Sequence, residues 1–207
     1  MFKFGLASAI LAAASLSAAG NAIAADTLAD APLRGTVSWT GAYVSAHVGA
    51  GWLRDSDTNF PANPSRGDGG IFGASVGYLH QMGGFVGGAE AGYRKQKIQF
   101  VSNGWDPFNF YAQDAYSLEL RAGAAFDRWL VTANAGVVYA TSNIIYPLTG
   151  AGPLADWGYT AGVSADYLIS DHVFVGAKYD HQFYRNFAGN PTKVDVDTGS
   201  LKVGYKF

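Results

Sequence analysis

Glu90, Arg94, Glu119, Arg121, Asp166, Lys178, Asp180 and Lys202 share one setting. Each lies in a stretch where every second residue is apolar, and each falls on the other parity. Four are acids and four are bases. Balanced charges on one face suit mutual pairing, because an unpaired charge held away from water is expensive. The expected chemistry is electrostatic. A paired network would plug a space, or it would pass water and small solutes if its partners exchange.

The histidines offer less. His47, His80, His172 and His181 are the full set. A hydrolase acting on lipid needs a histidine beside a serine or an acid near the membrane rim. None of the four begins a His-x-Ser arrangement. His47 falls on the polar parity, and His80 and His172 stand at short connections. Only His181 lies near a long connection, with Asp180 on the opposite face of its segment. Structural or interfacial roles are expected for these residues, and no enzymatic activity.

A second group of bases stands in or beside the long connections: Arg54, Arg66, Lys95, Lys97, Arg185 and Lys193. Arg and Lys suit phosphate, so contact with lipopolysaccharide is one reading. Ordinary solvated charge is the other, since Asp55, Asp57 and Asp68 share these connections. Asp55-Ser56-Asp57 supplies too few carboxylates for a calcium site. The run Trp105-Asp106-Pro107-Phe108-Asn109-Phe110-Tyr111, with Phe60, is apolar for exposed chain. It would pack over the mouth of the fold or form an adhesive patch for a host or phage partner.

The elements that must position these groups are strands. Alternation holds over about 41–52, 70–81, 85–94, 115–126, 129–140, 157–168, 173–183 and 194–207. Period two is the strand signature, and a helix would scatter these apolar residues round its whole surface. Each stretch approaches the roughly 9–11 residues with which a tilted strand crosses a bilayer. Connections alternate in length. Met82-Gly83-Gly84, Asp127-Arg128 and 169–172 are short, while 53–69, 95–114, 141–156 and 184–193 are long. Short turns on the periplasmic side and long loops outside are the bacterial barrel pattern.

Which face meets lipid follows from the contents of each. The apolar parity is nearly free of charge. Its aromatics gather near the ends of the stretches: Trp52, Tyr78, Phe85, Tyr93, Tyr116, Phe126, Trp129, Tyr139, Tyr167, Tyr179 and Phe207. Two aromatic girdles round an Ala/Val/Leu belt face a membrane. A soluble ligand-carrying barrel would be built the other way round. Gly and Ser on the polar parity leave room for long charged chains inside.

Composition agrees. The chain has 27 Gly, 14% aromatic and 14% charged residues, net charge −2 and no cysteine. About a quarter charged is usual for a soluble domain. No stretch after the N-terminus reaches the roughly 20 apolar residues of a spanning helix, and a closed barrel is the other structure that satisfies its backbone in lipid. No basic stripe exists to neutralise nucleic-acid phosphates. Residues 1–24 are read as a signal peptide, with Lys3, an Ala/Leu-rich core and Ala22-Ile23-Ala24 before the cut. Residues 25–38 are then a periplasmic lead-in and 39–207 the barrel, with no appended peptidoglycan-binding module. The expected fold is an all-β, eight-stranded antiparallel up-and-down transmembrane β-barrel in the outer membrane.

Trp39-Thr40-Gly41-Ala42-Tyr43-Val44, Val48-Gly49-Ala50-Gly51-Trp52 and the closing Leu201 to Phe207 resemble the small outer-membrane β-barrel proteins of alpha-proteobacteria, the porin-family or opacity-like surface proteins. The resemblance extends in pattern over 36–207. Ala42 stands where such proteins often carry a bulky aromatic, and Ser45 where they often carry Gly. The resemblance implies a surface barrel contributing to envelope integrity, with outer-membrane lipid and lipopolysaccharide as surroundings and no catalytic residues. It implies that Tyr205 and Phe207 form the C-terminal signal read by the barrel assembly machinery. Haem capture by a loop belongs to the same resemblance, but the long connections carry no histidine, and no cofactor or metal is expected. The alternative function is a narrow porin.

Overall fold

The computed structural model describes residues 37–56, 66–102, 108–146, 150–185 and 193–207. The expected signal peptide, the lead-in before residue 37, Asp57, Phe60 and Trp105 lie outside them, as do the side chains of Asp55, Arg66, Phe108, Phe110 and Tyr111. The described chain forms eight strands: β1 (Gly41–Ser56), β2 (Arg66–Met82), β3 (Phe85–Ser102), β4 (Phe108–Phe126), β5 (Trp129–Tyr146), β6 (Gly150–Leu168), β7 (Val173–Tyr184) and β8 (Lys193–Lys206). Each pairs antiparallel with the next in sequence, and β8 pairs with β1 to close the barrel. Closure gives every strand a partner on both sides, as lipid requires.

Two of the short turns are made by residues that tolerate a left-handed backbone. Gly83 turns at φ 64° between β2 and β3, and Asp127 at φ 54° between β4 and β5; Gly and Asp are suited to such positions. At this same end Phe207 N–H donates to Ala42 O at 2.9 Å, so the last residue docks against the start of β1.

The strands at the long-connection end outrun the sequence expectation. β4 begins at Phe108 rather than near 115, β6 at Gly150 rather than 157, and β3 continues to Ser102 rather than 94. Arg54, Lys95, Lys97 and Lys193, expected in or beside loops, are therefore strand residues, as is the backbone of Arg66, while Arg185 follows directly on β7. Above the girdle an outward side chain meets water, so charged residues can occupy outward positions and the apolar alternation that marks a strand fades. The ladder continues because backbone pairing needs no apolar face. Irregularities interrupt it between Lys95 and Ile98 and between Ala112 and Asp114.

Val48, Val76, Leu118, Leu120, Val163, Leu201 and Val203 are exposed on the outer wall, as are Trp52, Tyr78, Phe85, Tyr116, Phe126, Trp129, Tyr179 and Phe207. The buried residues point inward in three layers. Trp39, Leu79, Val86, Leu130, Leu168 and Phe174 form an apolar floor at the short-turn end, joined by the ring of Tyr43. Leu53, Ile98, Ala115, Val138, Ala140, Tyr184, Val194 and Val196 form an apolar layer at the other end. Polar and charged side chains fill the middle.

Candidate functional site

The middle layer is organised by Arg121, whose side chain is 1% exposed. One guanidinium nitrogen donates to Tyr43 Oη at 2.8 Å and Glu90 Oε2 at 3.0 Å. The other donates to Asp166 Oδ2 at 2.8 Å, Ser164 Oγ at 2.8 Å and Thr132 Oγ1 at 3.0 Å. β4 supplies the arginine, while its partners come from β1, β3, β5 and β6, so one side chain ties together five strands. The planar guanidinium suits this multiple contact in a way that a lysine would not. Tyr43 completes the triangle by donating to Glu90 Oε2 at 2.5 Å.

Lys178 Nζ lies 2.7 Å from Glu119, 3.2 Å from Glu90 and 3.4 Å from Asp180. Asn134 Nδ2 links the other side by donating to Glu119 Oε2 at 2.6 Å and Asp180 Oδ1 at 2.9 Å. Arg94 lies 3.6 Å from Asp180 and donates to Thr198 Oγ1 at 2.9 Å. Lys202 Nζ sits 2.9 Å from Asp166 Oδ1, an ion contact without hydrogen-bond alignment, and 5.8 Å from the centre of the Phe174 ring. All eight charged residues singled out in the sequence thus stand in one layer. Tyr43, Thr132, Asn134, Ser164 and Thr198 were not singled out, although their parity places them on the same face.

Glycine makes the space. A Cβ at Gly176 would collide with Asp166 Oδ1, one at Gly162 with Asp180 Oδ1, and one at Gly204 with the Phe174 ring. In each case the side chain belongs to the residue paired with the glycine on the neighbouring strand, and it lies over the space that a Cβ would fill. A small polar gap lies among the described residues, bordered by His47, Ser75, Arg94, Ser117, Lys178 and Ser200.

The outer wall carries a feature the sequence reading passed over. Asp197 faces outward on β8, level with Trp52 on β1 and His181 on β7. It accepts from Tyr179 Oη at 2.6 Å and contacts His181 Nδ1 at 2.8 Å, with Arg54 Nη2 at 4.0 Å. Asp197 shares the parity of Leu201, Val203, Tyr205 and Phe207, so counting back from the C-terminus would have found an acid on the lipid-facing side. On the far wall Tyr93 Oη donates to Asp114 Oδ1 at 2.7 Å, close to the exposed Lys95 and Lys97. His47 faces the lumen gap, His80 is exposed, and His172 stacks on the Tyr205 ring at 5.6 Å. Among the described residues no serine or threonine hydroxyl bonds to a histidine, and no group of His, Asp and Glu is placed to hold a metal ion.

The model of the outer membrane protein beta-barrel domain matches residues 7–207. No curated protein matches the sequence. Among solved structures, the outer membrane protein OprG from Pseudomonas aeruginosa superposes with a TM-score of 0.53 at 15% identity, over 81% of this chain and 96% of that one. Neisserial surface protein A superposes with a TM-score of 0.51 at 18% identity, over 81% and 98% respectively. At such identities the likeness is one of fold.

Proposed function

The chain belongs to the outer membrane protein beta-barrel domain family, and from that premise we propose that it is a closed surface barrel with a structural role in the envelope. The observation that carries this reading is the layering of the lumen. A polar network spanning the barrel lies between an apolar floor at Trp39 and Phe174 and an apolar layer at Ile98, Val138 and Val196. Eight strands give an interior that side chains can fill. A solute would have to break buried ion pairs and then cross two apolar layers. On this reading the barrel catalyses nothing and holds no cofactor.

Planar-bilayer recording of the refolded protein tests it. Baseline current is expected, and steady conductance at the level of a porin would overturn it. The alternative, a narrow porin, draws on the polar gap beside Arg94 and Lys178, which would widen if Lys178 gave up Glu119. Removal of residues 1–24 before Ala25, and recognition of Tyr205 and Phe207 by the assembly machinery, belong to the same proposal. So does lipopolysaccharide contact by Arg54, Arg66, Lys95, Lys97, Arg185 and Lys193. The outward setting of Arg54, Lys95 and Lys97 above the girdle supports that contact. Unchanged polymyxin sensitivity after their neutralisation would remove it.

A further inference from the structure

Arg121 donates to groups on five sides, but the other lumen arginine is sparsely bound. Arg94 Nη1 donates to the neutral Thr198 hydroxyl at 2.9 Å and stands 3.6 Å from Asp180. Arg94 Nε has no hydrogen-bond partner among the described residues, although the side chain is only 9% exposed. The polar gap lies beside it. A row of small residues, Ser45, Ser75, Gly92 and Ser117, runs straight across β1 to β4 and makes the room. His47 enters next to that row. It is paired with Gly73 on β2, where a Cβ would come within 2.7 Å of Nε2, and with Lys202 on β8.

Donors and acceptors round the gap are unequal. The acids that border it are already bound. Glu90 accepts from Tyr43, Arg121 and Lys178, Glu119 accepts from Lys178 and Asn134, and Asp180 accepts from Asn134 with Lys178 at 3.4 Å. Ser75 is bonded to Ser45. The groups left over can all donate: Arg94 Nε, the hydroxyls of Ser117 and Ser200, and the His47 ring, to which no described side chain hydrogen-bonds. An occupant that only accepts suits such a lining better than water, which must also donate. The volume of about 20 Å³ admits one small particle, since about 10–15 Å³ is enough for a water. Charge decides when an anion is welcome. Glu90 and Arg94 face His47 from β3, Glu119 from β4, Lys178 and Asp180 from β7 and Lys202 from β8, while β2 brings the uncharged Ser75. Acids and bases balance while the ring is neutral, and a proton on His47 adds one positive charge.

We propose that the gap binds one small monovalent inorganic anion of the halide class, together with a proton on His47. The anion accepts from the imidazolium, from Arg94 and from the Ser117 and Ser200 hydroxyls. Hydrogen bonds from charged donors are the strong ones. The negative charge of the anion cancels the positive charge of the imidazolium, so the layer stays balanced and no buried charge is left without a partner. Acid and halide therefore stabilise the lumen together, and neither does so alone. The site goes beyond the closed-barrel reading, because the anion is enclosed when the barrel forms and need not pass through it.

The test refolds the full barrel into detergent in sodium chloride or in sodium gluconate of the same ionic strength, at about pH 5 and at about pH 8, the window in which histidine changes charge. Gluconate is too large for the gap, and refolding in each salt presents the ion while the lumen forms. Urea unfolding is read by tryptophan fluorescence. The chloride concentration that gives half of the stabilisation should be at least tenfold lower at the acid pH than at the alkaline one. H47Q should have the same midpoint in both salts at both pH values, with heat-modifiable gel mobility to verify that it is folded. Wild-type crystals grown at the acid pH in sodium bromide give a second readout that needs no variant, and an anomalous peak is expected beside His47 and Arg94. Equal wild-type midpoints in the two salts at the acid pH, or a chloride effect that survives in H47Q, would overturn the site. Bromide confined to rim bases such as Lys95, an adventitious ion only, or a water in the gap of those crystals, would overturn it as well.

Discussion

Asp166 and Asp197 are the same side chain in two settings of one barrel. Asp166 is 1% exposed, bound by Arg121 from one side and Lys202 from the other. Asp197 is 13% exposed on the outer wall, bound by a tyrosine, a histidine and a distant arginine that is itself in solvent. In the lumen every partner of a charge is another buried group with partners of its own. On the wall the partners reach toward headgroups and water. Removing one member should therefore propagate inside the barrel and stay local outside it.

The largest expected effect is at Arg121. Arg121→Met keeps an unbranched stem but removes the guanidinium, which leaves Glu90 and Asp166 each with one fewer cation and takes away the donors to Tyr43, Ser164 and Thr132. Breaking a buried pair from one side costs about 3–5 kcal/mol. Urea unfolding in detergent, followed by tryptophan fluorescence, should show a loss of that order or failure to refold. The double variant R121M/E90Q should recover a substantial part, since Asp166 keeps Lys202 and Lys178 keeps Glu119 and Asp180, so the remaining charges at the centre stay paired. A loss under about 1 kcal/mol for R121M would mean that the lumen is wetter than its layering implies, and the contrast with Asp197 would weaken.

The contrast also separates what the sequence carries from what it hides. In the span between the girdles each position has one environment, lipid or lumen, so parity alone sorts Leu118 and Leu120 outward and Glu119 and Arg121 inward. Above the outer girdle both faces can be polar. There the strand continuations through Lys95 and Lys97 look like loop, and at the girdle itself Asp197, level with Trp52, breaks the apolar outward parity. Individual pairings were also beyond parity. Glu90 is directly opposite Glu119 across the β3–β4 pair, a like-charge juxtaposition relieved by Lys178, which bridges both from β7. That bridge depends on the curvature of a closed barrel, which no single strand encodes. Trp39, legible only as the first residue of the motif that opens the first strand, turns in to pack edge-on against Phe174 at 6.0 Å.

Space inside the barrel should be nearly as sensitive as charge. Gly176→Ala would set a methyl against Asp166 Oδ1, and moving that oxygen disturbs its contacts with both Lys202 and Arg121. Overpacking of this kind costs about 1–3 kcal/mol. Gly199→Ala on the outer wall adds the same methyl against the Trp52 ring at ordinary contact distance, and its urea midpoint should stay within experimental scatter of the wild type. Equal losses at the two glycines would show that backbone conformation, rather than the neighbouring side chain, sets the requirement for glycine.

Asp197→Asn should produce the smallest change in stability. The amide oxygen can still accept from Tyr179 or His181, and the charge removed has its nearest full cation at 4.0 Å on an exposed arginine. Ion pairs in such settings contribute under about 1 kcal/mol, so the urea midpoint of D197N should lie close to the wild type while that of D166N falls well below it. The ordering follows from geometry. Asp166 is wedged between Arg121 and Lys202, and neutralising it strands Lys202 and leaves Arg121 with Glu90 alone in a layer that water reaches poorly. Neutralising Asp197 frees a histidine and an arginine that already face the outer leaflet and can find phosphate or water instead. Were D197N to lose as much as D166N, the outer wall would have to be part of the same cooperative network as the lumen, linked through Asp180 and Thr198 to the inner layer.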